Sequence, residues 1–133
     1  MTIADHSAVL ALWSEIEGIV LTDTDEREPM QRFLDRNPGL SLVAEMDKAL
    51  VGAVLCSHDG RRGYLHHLAV APDFRRQGLG SALVQRCLSL LQREGIVKCN
   101  IFILEENESG IAFWERNGFK MLPHFGWMQC VLS

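Results

Sequence analysis

The chain has 133 residues, 47% hydrophobic and 23% charged, which suits one packed core and a single domain over residues 1–133. A net charge of −4 without a sustained basic patch argues against nucleic acid as the main partner, and no run of about 18 apolar residues is present to span a membrane. The opening MTIADHSAVLALW lacks a basic leader followed by an apolar stretch, so the expected compartment is the cytoplasm.

Asp5 to Glu17 has helical spacing, with Val9, Leu12, Trp13 and Ile16 on one apolar stripe. The acidic, turn-like LTDTDEREP leads to a second helix that turns Met30, Phe33 and Leu34 inward and stops before Pro38-Gly39. SLVAEM and ALVGAVLCS, joined by Asp47-Lys48, read as a hairpin, and HDGRRG turns into a third strand, YLHHLAV, closed by Pro72. The most regular helix pattern runs from Gly78 to Glu94, where Leu79, Leu83, Cys87, Leu90 and Leu91 recur at spacings of three and four until Gly95 ends it. VKCNIFIL reads as a strand and EENES as a loop. Ser109 or Asn107 then caps a short helix through Glu115 or Arg116, terminated by Asn117-Gly118. The tail FKMLPHFGWMQCVLS has the content of one or two final strands around Pro123 and Gly126. Without repeats, low-complexity tracts or linkers, this order predicts an α/β (α+β) fold with one mixed sheet rather than a regularly alternating parallel one. Cys56, Cys87, Cys99 and Cys130 lie far apart in apolar stretches, without the spacing of a zinc or redox motif, and are expected to be buried, reduced thiols.

The stretch FRRQGLGSALV concentrates donors at the mouth of a helix. A helix start offers outward N–H groups and the positive end of the dipole, and Gly78 and Gly80 let an anion approach the backbone. Arg75 and Arg76 add charge-assisted hydrogen bonds, Gln77 a neutral donor and Ser81 a hydroxyl. Together these suit a phosphate or pyrophosphate; the bland alternative is a tight turn with solvated arginines. No lysine precedes Ser81 as a P-loop requires. The third glycine of a dinucleotide fingerprint is also missing, and seven residues separate Val70 from Gly78.

LAVAPDFRRQGLGSALV resembles the acyl-CoA-binding signature of the GNAT superfamily of N-acetyltransferases, a strand and a proline before R/Q-x-x-G-x-G/A at a helix start. Downstream, NESGIAFWERNGF is similar to that family's N-x-x-A-x-x-F/L-Y-x-x-x-G-F segment, and VKCNIFIL lies between the two as the family order requires. The resemblance spans about residues 3 to 132 and is nearest to the short, single-domain bacterial members. It implies an acyl-CoA N-acyltransferase fold, antiparallel except where two strands flanking the thioester run parallel and part into a V. Acetyl-CoA is the implied cofactor. Backbone amides from Gln77 through Gly78, Leu79 and Gly80 to Ser81 would cradle its pyrophosphate, and the backbone of Leu68, Ala69 and Val70 would pair with the pantetheine arm. Asn107 would touch the cofactor near its thioester end, and Trp114 takes the place of the tyrosine that relatives carry in the second motif.

Acetyl transfer to an amine needs a base for the ammonium, donors for the carbonyl oxygen and a proton for the departing thiolate. Relatives often place a glutamate two residues ahead of L-A-V; here that position is His66, whose unperturbed pKa of about 6.5 suits a base. Since alternate strand residues point to opposite faces, His66 and His67 are expected to diverge, so that at most one faces the site, and His66 is favoured. The alternative is that both are simply polar residues on a half-exposed strand. Glu45 through a water chain is a weaker candidate. Phe102 occupies the place where other relatives carry a glutamate. Trp114 can donate a hydrogen bond but cannot shuttle a proton, Tyr64 lies at the far start of the strand, and His124 or water could serve as the acid.

Relatives begin with a strand that is here missing or reduced to Thr2-Ile3, or else the chain is cut short. Its loss would leave a sheet edge open to a partner chain, as in a homodimer. Asp23, Asp25, Glu26 and Glu28, with Glu105, Glu106 and Glu108, would give acidic walls that attract a cationic small-molecule amine or protein N-terminus, or merely keep the surface soluble. Ile19, Val20 and Leu21 line that pocket or belong to the core. Two functions fit: an acetyl-CoA-dependent N-acetyltransferase, or a non-catalytic acyl-CoA-binding sensor or interaction module.

Overall fold

Residues 1–132 are described by a computed structural model, in which the chain divides into two units, one of Met1–Phe102 and one from Ile103 onward. In the first unit, α1 (His6–Ser14) and α2 (Arg27–Arg36) precede three strands, β1 (Leu42–Met46), β2 (Ala49–His58) and β3 (Gly63–Val70). The long helix α3 (Leu79–Arg93) and a two-residue strand β4 (Cys99–Asn100) follow. The sheet order is β1-β2-β3-β4, antiparallel across the first two pairs and parallel across the last. The α/β class and mixed sheet expected from the sequence are therefore present.

Asp47 and Lys48 both take left-handed conformations, φ 50° and 68°, as the two central residues of a type I′ hairpin loop do, and Met46 pairs with Ala49 directly across it. Alternation along β2 then separates two layers. Ala53 and Leu55 join Val9, Leu12 and Trp13 of α1 and Met30 and Leu34 of α2 in one core. On the opposite face Gly52 lies under Leu83 of α3, and Cys56 and Cys87 are both fully buried, the Cys87 thiol donating to the Leu40 carbonyl at 3.6 Å. Each well-buried apolar side chain of these layers stabilises the unit by about 1.5–3 kcal/mol.

Three expectations need correction. The strand VKCNIFIL is shorter than expected: its ladder with β3 runs through Gly63↔Cys99 and Tyr64↔Asn100, and Phe102 beyond it is half exposed. At the start of the chain the first of the two alternatives fits, a missing strand, because Thr2 caps a short 3-10 turn, Ile3–Asp5, that runs into α1. The tail 119–132 forms no strand. Pro123 lacks an N–H, Pro123 and Gly126 divide the apolar run, and Phe125, Trp127 and Met128 stay exposed. Cys130 is exposed with them, whereas Cys56 and Cys87 are buried and Cys99 is intermediate. In the second unit α4 (Glu108–Arg116) is capped by Asn107, whose Oδ1 accepts from the Gly110 N–H at 3.0 Å, and Trp114 packs edge-on against Phe113 and Phe119.

Candidate functional site

An extra residue in β3 shapes the site. Ala53 and Leu55 of β2 pair with Ala69 and His66, so two steps on one strand face three on the other, and His67 takes the left-handed φ of 53°. This overturns the expectation that the two histidines point apart. His66 stands directly across from Leu55 and so shares the α1/α2 face with it. On the same face, the bulge lets the His67 ring sit edge-on to Trp13, centroids 4.9 Å apart, with its Nε2 3.0 Å from Asp25 Oδ1.

Asp25, which the sequence places on a solvent-facing acidic wall, is instead buried, at 5% exposure. Its Oδ2 accepts from the Thr22 N–H at 2.9 Å in a capping box, and its backbone carbonyl lies 2.9 Å from His6 Nε2, which must carry the proton. Thr22-x-x-Asp25 ahead of a helix was a legible signal for that box; the bond to His67 had none. Asp23, Glu26 and Glu28 remain exposed. Ile19 and Leu21 pack against the core while Val20 points out, and Glu45 is exposed on β1.

Around His66, the rings of Tyr64 and Phe102 complete a triangle. The centroid separations are 6.2, 5.9 and 6.3 Å and the planes lie within 24° of one another, which excludes a linear column. Burial holds the His66 pKa below its ordinary value; charge on His67 lowers it further and the Asp25 carboxylate partly opposes this. His66 is therefore neutral, with a lone pair available, throughout the near-neutral range.

The glycine-rich stretch follows a 3-10 turn, Pro72–Phe74. Arg76 (φ 62°) and Gly78 (φ 79°) both turn left-handed, Gly78 is the N-cap of α3, and the helix's first turn closes with Ala82 N–H on the Gly78 carbonyl at 2.9 Å. A Cβ on Gly78 would meet nothing within 4 Å, so the helix mouth is open. Arg75, Arg76 and Gln77 are exposed and Leu79, Gly80 and Ser81 half-buried. Arg75 Nε donates to the Val70 carbonyl at 3.1 Å, tying the loop to the end of β3. Within β3, Leu68 and Val70 are half-buried and Ala69 faces the core, in the stretch beyond the ladder with β4. The first unit thus carries His66, the Leu68–Val70 segment and the glycine loop on one strand–turn–helix. Asn107 and Trp114 belong to the second unit, where Asn107 serves as a helix cap.

A family model described as Acetyltransferase (GNAT) family matches residues 8–119. An acetyltransferase of Yersinia enterocolitica is 35% identical over 113 residues, covering 85% of this chain and 79% of the relative. Among solved structures, the PaiA N-acetyltransferase of Thermoplasma acidophilum in complex with coenzyme A aligns with a TM-score of 0.79 at 19% identity, covering 95% of this chain and 90% of its own. An aminoglycoside 6′-N-acetyltransferase of Acinetobacter haemolyticus aligns with a TM-score of 0.79 at 16% identity, covering 100% and 97%. The two structures share the fold, while the family model and the relative carry the assignment: the chain belongs to the GNAT family of acetyltransferases, enzymes that draw their acyl group from an acyl-CoA.

Proposed function

We propose that the chain transfers an acetyl group from acetyl-CoA to a primary amine, of a small molecule or a protein N-terminus, by direct attack in a ternary complex, with His66 as the base. The observation that carries this reading is the pairing of His66 with Leu55, which sets a neutral imidazole on the α1/α2 face just ahead of Leu68–Val70. The cofactor fits the residues present. The open space at Gly78 and the N–H groups of the α3 mouth suit a pyrophosphate, Arg75 and Arg76 supply charge, and the stretch of β3 beyond its ladder with β4 suits an extended pantetheine arm. Asn107 and Trp114 are assigned to the cofactor through their motif, and a family match running across both units supports one domain.

When bound, acetyl-CoA supplies the activated thioester. His66 takes a proton from the ammonium and frees its nitrogen lone pair; with pKa values of roughly 8 to 10, such amines are mostly protonated at pH 7. Trp114, in the place of the family's tyrosine, has no proton to shuttle, so the thiolate receives its proton from the attacking nitrogen or from water. The acidic residues Asp23, Glu26 and Glu28 favour a cationic acceptor. Among the described residues no helix is long and apolar enough to cross a membrane, and a cytoplasmic location with free thiols is our reading of the compartment. β1 ends the sheet, and its outer edge supports a homodimer, which the solution mass tests.

The test has two stages. Acetyl-CoA and CoA should raise the melting temperature where ATP and NADH do not, and an amine panel should then release CoA thiol with wild-type protein but not with His66→Ala. No shift with either CoA form would sink the binding site, and full turnover by His66→Ala would sink the base.

A further inference from the structure

One buried group has no part in the mechanism so far. The Asp25 carboxylate is nearly sealed, its side chain 7% exposed, and it faces a histidine whose backbone is left-handed. A left-handed, non-glycine residue costs about 1–2 kcal/mol, so something must hold it there. The bond from His67 Nε2 to Asp25 Oδ1 does so, and it also decides the chemistry of the ring. An ionised carboxylate only accepts, so Nε2 carries the hydrogen and Nδ1 is the basic nitrogen of the neutral ring. The His67 side chain is 24% exposed, enough for exchange with solvent, while the carboxylate behind it is enclosed.

We propose that Asp25 and His67 form a carboxylate–imidazole pair that receives the acceptor's proton from His66 and passes it to solvent, so that the base of this enzyme is a two-histidine unit rather than His66 alone. The inference rests on the reading of His66 as base. The ammonium gives one proton to His66, which hands it to Nδ1 of His67, directly or across a water, and His67 returns it to solvent. The freed amine nitrogen attacks the thioester carbonyl, the N–C bond forms, and the C–S bond breaks with its electron pair on sulfur. The second nitrogen-bound proton ends on that sulfur. The products are an amide, a thiol and one proton in solution. Asp25 acts through His67 and is a positioning residue: it fixes the tautomer and stabilises the imidazolium while it lasts.

Among the described residues, four elements face this unit. α1 contributes His6, bonded to the Asp25 carbonyl; the turn before α2 contributes Asp25 itself; β3 contributes Tyr64. On the same face, β2 offers Ala53 and Leu55 and α2 offers Met30 and Leu34, none of which titrates.

His67→Asn and Asp25→Asn are the variants of choice. Asparagine tolerates the left-handed backbone at 67, and at 25 it retains an oxygen for the Thr22 N–H. Each should keep the stabilisation by CoA and lower kcat by about tenfold to a hundredfold with KM for acetyl-CoA unchanged. The acid limb of the kcat profile should move up in His67→Asn, which removes a neighbouring positive charge, and down in Asp25→Asn, which removes a negative one. Nitrogen-15 NMR of the unmutated protein supplies a reading that needs no variant: the His67 ring should carry its hydrogen on Nε2, leaving Nδ1 free to accept. If both variants keep wild-type kcat and an unmoved acid limb, or the His67 ring carries its hydrogen on Nδ1 instead, the relay is wrong. His66→Ala separates the readings, since its retained activity would sink the base itself, whereas its loss beside active His67→Asn and Asp25→Asn would sink only the relay.

Discussion

Replacing Gly78 by alanine separates the two services that this residue performs. Its φ of 79° is left-handed, so a side chain there costs about 1–2 kcal/mol of backbone strain, but a Cβ would meet nothing within 4 Å and adds no clash. For a chain of this length the loss corresponds to about 4 to 7 °C in melting temperature. Gly95, just past the other end of α3, has φ 82° and equally open surroundings, so Gly95→Ala should lose a similar amount. The two variants should differ in their response to acetyl-CoA. At about 100 times its dissociation constant the ligand stabilises by roughly 2.7 kcal/mol, and a tenfold loss of affinity cuts that to roughly 1.4 kcal/mol at the same concentration. Gly78→Ala should show the smaller increment, because its methyl group occupies the helix mouth, while Gly95→Ala should show the full one. Gly78→Asn adds a control: asparagine accepts the left-handed backbone, so stability should recover while the ligand response stays poor. Differential scanning fluorimetry across an acetyl-CoA titration reads both quantities. An undiminished ligand response in Gly78→Ala would refute the helix mouth as the phosphate site.

Three further outcomes are expected. Gly63→Ala should destabilise the protein by about 1–3 kcal/mol in urea unfolding, because its Cβ would lie 2.6 Å from Leu91 Cδ1 in the buried layer under α3; an unchanged midpoint would mean that Leu91 yields freely. Because the folded His66 pKa lies below the unfolded value of 6.5, the unfolded chain binds the extra proton just below that pH, and stability should fall as the pH drops through the window. His66→Phe should flatten the decline, and an equal slope in both proteins would contradict the burial of the ring. Ellman's reagent should find one fast thiol in the native protein, Cys130, since Cys56 and Cys87 are buried and burial pushes the Cys99 thiol up to about 11. A fast thiol that survives Cys130→Ser would overturn that ranking.

What the sequence revealed was local. The apolar spacing of α3, the stop at Gly95, the Asp47-Lys48 hairpin and the cap at Asn107 each depend on residues within a few positions of one another, and each is present. The glycine-rich loop was legible for the same reason, since a helix start and its donors are adjacent in the chain. The tail misled because apolar content makes a strand only where a partner strand exists, and Pro123 and Gly126 leave two short pieces with none among the described residues. The true extent of β4 was hidden likewise, because how far two parallel strands run together is a property of the pair.

The centre of the site escaped for a deeper reason. A strand read at period two gives His66 and His67 opposite faces, and nothing in LHHLAV, which has no glycine, announces a left-handed residue. A regular strand would turn His67 toward the layer of Leu83, Cys87 and Leu91, where an imidazole would be desolvated among apolar side chains. The bulge avoids that penalty, and its strain of about 1–2 kcal/mol is offset by a hydrogen bond to a charged group, a type that contributes about 1.5–3 kcal/mol. The partner in that bond lies 42 residues away in the chain, so the bulge and the burial of Asp25 are one event seen from two segments. Neither could be inferred without the other. Two adjacent imidazoles share one face of the sheet because a carboxylate from the turn before α2 holds the second of them out of the α3 layer.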